Sequence, residues 1–132
     1  MRWTVTGLPV LVGLLALAGC VPAQQPGATQ AASDFQSRVV AQDWSGACRL
    51  LSESTRHQLE LTTTRACPEA LQRLSLPGGP VGDVEVWGHN ASGQIGDDRA
   101  VFLSRYADGW RVIAAGCRFQ SEDLPYDCAV RG

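Results

Sequence analysis

The pattern of apolar and polar positions changes twice along the chain. Val5 to Gly19, "VTGLPVLVGLLALAG", is uncharged and largely apolar, but shorter than the ~18 to 20 residues a membrane-spanning helix needs. Val21 to Ser33, "VPAQQPGATQAAS", carries neither charge nor apolar period, the composition of a flexible linker spanning about 20 Å as a coil and about 40 Å extended. Helical spacing begins after it. Ser33 or Asp34 can cap a helix starting at Phe35, with Phe35 and Val39 on one face. From Asp43 a second helix places Trp44, Ala47, Cys48 and Leu51 on one stripe. Ser54 can cap "TRHQLEL", and Pro68 suits the first turn of "CPEALQRL", whose Ala70, Leu71 and Leu74 can pack inward. "LPGGPVG" then ends helix formation. Beyond it the period is that of strands: "DVEVWG" from Asp83, "NASGQI", "RAVFLSRY" from Arg99 and "WRVIAAGC" from Trp110, with "ADG" as a hairpin turn. Helices followed by an antiparallel sheet of about four strands predict an α+β fold.

The first apolar run, preceded by Arg2, has the form of an export signal. Its end, Leu17, Ala18, Gly19 and Cys20, resembles the lipobox of bacterial lipoprotein precursors. The resemblance implies a diacylglyceryl group on the Cys20 sulfur, cleavage before Cys20, and anchoring at the extracytoplasmic face of the cell membrane. Ordinary secretion is the competing reading, since Ala16 and Ala18 also satisfy a small-x-small cleavage rule. Cysteine parity favours lipidation: five cysteines are odd, and committing Cys20 to lipid leaves four to pair. The expected organisation is a signal at 1–19, a lipid-anchored tether at 20–33 and a single domain at 34–132.

Charge and cysteine usage narrow the remaining possibilities. The net charge of −2 argues against nucleic acid as a partner. Cys48, Cys67, Cys117 and Cys128 in an exported chain are expected to form disulfides. Of the three possible connectivities, Cys48 with Cys67 and Cys117 with Cys128 close short loops, the second pinning the C-terminal tail to the last strand. There is no C-x2-C pair and neither His57 nor His89 stands at a ligand spacing to a cysteine, so no metal and no cofactor are expected.

"DWSGACRLLS" near the start of the domain and "FLSRYADGWRVIAAGC" near its end carry a resemblance to small lipoproteins of high-GC Gram-positive bacteria with a nuclear-transport-factor-2-like (cystatin-like) domain. Asp43, Trp44, Cys48 to Leu51, Cys67 to Ala70, Gly109, Trp110, Cys117 and Tyr126 to Cys128 are the residues concerned, over about Asp34 to Cys128. The resemblance implies a cone in which helices cover one face of a bent sheet and leave a pocket between them. Such folds host unrelated activities, so the fold names no reaction.

Two readings of function follow. The first is an anchored, non-catalytic binding or assembly module for an envelope protein or an apolar small molecule. The second is a small cofactor-free enzyme of the ketosteroid-isomerase-like or dehydratase-like type. In "DVEVWG", Asp83, Glu85 and Trp87 share one face, which makes Glu85 the best pocket acid, with Trp87 and Tyr106 as further pocket residues and His89 as a partner base. Alternation of charged and apolar positions is equally the pattern of a solvent-facing strand. No acid–base pair stands at a helpful spacing, which favours the binding module. His57 reads as part of a solvated helix face, "GQIGDD" as a turn, and Trp44 and Trp110 as core residues.

Overall fold

The computed structural model describes residues 23–124 and 126–132; the expected signal at 1–19 and the Cys20 lipidation site lie outside them. Four helices, α1 (Gln25–Val40), α2 (Trp44–Leu50), α3 (Glu53–Thr63) and α4 (Cys67–Arg73), precede five strands, β1 (Val81–Trp87), β2 (Asn90–Ile95), β3 (Arg99–Tyr106), β4 (Gly109–Phe119) and β5 (Tyr126–Arg131). The helices pack on an open antiparallel sheet whose order is the order of the chain, an α+β architecture. The expected strand count of about four is corrected to five. Residues after Cys117 form a strand because its tail pairs in register with β4, something no local signal in "SEDLPYDC" requires.

The first helix begins at Gln25, ten residues ahead of the expected start at Phe35 and inside the segment read as linker. Pro26 falls in the first turn, where its missing N–H costs nothing. Ala28, Ala32, Phe35 and Val39 then form one buried stripe. Its first half is alanine, which gives a weak apolar signal but lets helix and sheet approach closely. A methyl built on Gly93 of β2 would stand 3.6 Å from the Ala32 Cβ.

The shorter helices are held by caps and a crosslink. Asp43 caps α2 by accepting from the Gly46 N–H at 2.9 Å. Ser52, rather than the expected Ser54, caps α3 by accepting from the Thr55 N–H at 3.1 Å. Cys48 and Cys67 are joined by a disulfide with Cα atoms 6.1 Å apart, tying α2 to the start of α4. The link between α2 and α3 lies along the edge of β4, where the Ser52 N–H donates to the Val112 carbonyl at 2.9 Å and Leu51 bridges Val112 in parallel.

Between the layers, Phe35, Leu71, Val101, Leu103 and Val112 are at most 2% exposed and belong to one apolar cluster with Ala28, Ala32, Val84, Ala91 and Ile95. The space that the family resemblance would leave as a pocket holds this packed core. The β3–β4 register shifts on both sides of Phe102, an irregularity of the kind that lets a strand change direction. Gly116 has φ +63°, and a Cβ there would meet both Ala129 and Leu76 at 3.0 Å.

Candidate functional site

Alternation along the strands sorts the side chains into two faces. Val84, Ala91, Ile95, Val101 and Leu103 face the helices and are buried. Their neighbours Glu85, Ser92, Gln94, Ala100 and Phe102 therefore point to the other side, which no helix among the described residues covers. The β4–β5 register sets Phe119 opposite Tyr126, and three rings gather on this open face. Phe102 meets Tyr126 edge-on at 4.8 Å between centroids, and Phe119 meets Tyr126 edge-on at 5.7 Å. Such T-shaped pairs add about 0.5–1.5 kcal/mol each beyond area burial. Phe119 and Tyr126 remain 53% and 41% exposed, so the cluster presents rings to solvent.

Beside the cluster lies a shallow groove lined by Asp83, Glu85, Gln94, Asp97, Phe119 and Tyr126, with Asp98 and Arg99 at its rim. Its volume of about 270 Å³ is just under the range of small-molecule pockets, and it opens widely to solvent. Asp98 contacts Arg99 at 3.7 Å and Arg118 at 3.5 Å. Asp83, Glu85 and Asp97 form no ion pair among the described residues, so the groove is electronegative. Arginine and lysine side chains match such a surface twice over, through the carboxylates and through the faces of the rings.

The structure separates the residues that the sequence grouped as a possible acid–base site. Glu85 lies in the open-face groove. Trp87, two residues on, shares its face, is 49% exposed and does not line the groove. Tyr106 lies two strands away beside the β3–β4 turn, in a separate cleft with Ser52, Glu53, Ser54, His57 and Asp108. His89, in the β1–β2 turn, pairs with the Arg105 guanidinium at 3.0 Å between Nδ1 and Nη2. Trp110 packs against the core, as expected for its stripe, as does Trp44.

Cys117 and Cys128 are disulfide-bonded across β4 and β5. Cys117 is fully buried, yet lies outside the interlayer cluster, on the same strand face as Phe119. Phe102, Phe119 and Tyr126 were not singled out from the sequence as one group. A signal existed: antiparallel pairing of Cys117 with Cys128 obliges Phe119 to stand opposite Tyr126.

The carboxyl of Asp43 is held below the usual carboxylate range, first by the Gly46 N–H it accepts and then by the Arg38 guanidinium, whose Nη1 lies 2.6 Å from Oδ2. This is a helix cap far from the groove. Among the described residues, no group of three or more His, Cys, Asp and Glu is placed to hold a metal ion, and no helix is long and apolar enough to cross a membrane. Comparison with protein-family models, curated proteins and solved structures gives no match to this chain.

Proposed function

We propose that this chain is a lipid-anchored extracytoplasmic module of the nuclear-transport-factor-2-like lipoprotein type that binds its partner non-catalytically on the open face of the sheet. One observation carries the reading. The Phe119 and Tyr126 rings stand exposed beside the Glu85 groove, with the half-buried Phe102 ring edge-on to Tyr126, while the space between helices and sheet is packed with apolar side chains. Recognition on such a surface needs no enclosed cavity. Exposed rings next to unpaired carboxylates suit an envelope protein segment that carries cationic and aromatic side chains. The lipobox at Cys20 supplies the location.

Two measurements test the two parts. Intact mass spectrometry of protein recovered from bacterial membranes should show a chain beginning at Cys20 with an acylglyceryl adduct; a soluble product with a free thiol overturns the anchor. Titration with a short Arg- and Trp-containing peptide should shift backbone NMR signals of Phe102, Phe119 and Tyr126, and Glu85→Gln with Asp97→Asn should weaken that response. Absence of shifts, or shifts spread over the helices, refutes the binding face.

A further inference from the structure

The early start of α1 limits how far the domain can stand from a group attached at Cys20. Ala23 is three residues after Cys20, a reach of at most about 11 Å at roughly 3.6 Å per residue. The first turn of α1 lies against a defined part of the sheet. Gln25 donates from Nε2 to the Val84 carbonyl of β1 at 2.9 Å, and a Cβ on Gly27 would meet the Trp110 indole at 3.2 Å. Further along the helix, Gln36 donates to the Pro77 carbonyl, and Val40 borders a cleft with Pro80 and Val81. Thus α1 runs antiparallel to β1, and its first turn sits nearest the end of the sheet that carries the β1–β2 and β3–β4 turns.

That end has a distinct chemistry. Its exposed large side chains are Trp87, 49% accessible, and Tyr106, 46% accessible, the two residue types that settle in the headgroup region of bilayers with ring buried and polar atom wet. His89, Arg105 and Arg111 stand there against Asp108 and Glu53, and Arg111 is paired with Asp108 at 2.8 Å. The opposite end, at the β2–β3 turn and the β4–β5 connection, carries Asp97, Asp98, Glu122, Asp123 and Asp127 against Arg99 and Arg118. An anionic lipid surface repels the second end and tolerates the first.

We infer that the Trp87–Tyr106 end of the sheet rests in the headgroup region of the phospholipid bilayer, holding the acidic, ring-lined groove outward. This rests on the acylation of Cys20 proposed above. The short reach from Cys20 brings this end to the membrane, and the two rings then fix the orientation. The groove faces away from the anchor, where a partner can reach it.

The experiment uses the acylated full chain, purified from membranes and reconstituted in phosphatidylcholine–phosphatidylglycerol vesicles whose acyl chains are brominated just below the headgroups. Tryptophan fluorescence should fall by about a third relative to unbrominated vesicles, the share of one interfacial indole among the three that follow Cys20. Trp87→Phe should abolish this quenching, and adding Tyr106→Trp to that variant should restore it. Acylated, vesicle-bound protein that is not quenched, or is quenched equally with and without Trp87, overturns the inference and leaves the anchor standing. A chain without an acyl adduct by mass overturns the anchor and this orientation together.

Discussion

Cys117 and Cys128 stand opposite each other on β4 and β5, and the same register places Phe119 opposite Tyr126 two residues away. One covalent link thus holds the strand pair on which the open-face ring cluster is built. Without β5, Phe102 would lose its edge-on partner Tyr126, and the groove beside Glu85 would lose one wall.

Replacing both Cys117 and Cys128 with Ala should therefore lower stability by about 3 kcal/mol, the chain-entropy value for a loop of this length, read as the denaturation midpoint in urea. The peptide-induced NMR shifts of Phe102 should weaken in the same variant. An unchanged melting temperature in Cys117→Ser would show that this bridge does not hold the tail.

Ser52 joins three elements. Its hydroxyl accepts from the Thr55 N–H and donates to the Thr55 hydroxyl at 2.7 Å, which in turn donates to the Ile113 carbonyl of β4 at 3.1 Å. Ser52 and Thr55 are both buried, so Ser52→Ala loses a cap and strands polar groups away from water, at a cost of about 1–2 kcal/mol. Ser54 is exposed, and Ser54→Ala should change stability by less than about 0.5 kcal/mol. Equal effects of the two substitutions in thermal denaturation would place the cap at the wrong serine.

The depressed titration of Asp43 links stability to pH. Its folded-state pKa lies below the unfolded value, so the stabilisation is present above the ordinary carboxylate range and is lost as pH falls through the folded value. Asp43→Asn keeps a capping side chain but removes the charge. The melting temperature of the variant should fall less steeply than wild type on acidification below about pH 4. Parallel curves would show that Asp43 contributes nothing to the acid limb. Arg38 is half exposed, so the Gly46 hydrogen bond rather than the ion pair should carry most of the effect.

The local patterns of the chain determined its order of elements. Apolar residues at three- and four-residue spacing marked α2 and α4, Gly and Pro at 77–82 marked the change of period, and alternation marked β1, β3 and β4. The two disulfide pairings were legible too, because the favoured bridges close the short loops 48–67 and 117–128, and the structure forms both. Such features depend on neighbours in sequence, which propensity and spacing record.

What the tertiary structure alone decided depends on distant partners. The Gln25–Gly27 turn is helical beside Val84 and Trp110, although its Pro, Gln and Gly composition reads as a linker. Tyr126 to Arg131 became a strand because β4 offered an open edge to pair with. Glu85 and Tyr106 could share a site in a one-dimensional reading, but strand order sets them two strands apart and in different clefts. The sequence by itself settles which side of β1 Glu85 shares with Trp87; which of the two sides the helices cover is set by packing of the apolar face, and that left the rings and carboxylates in the open.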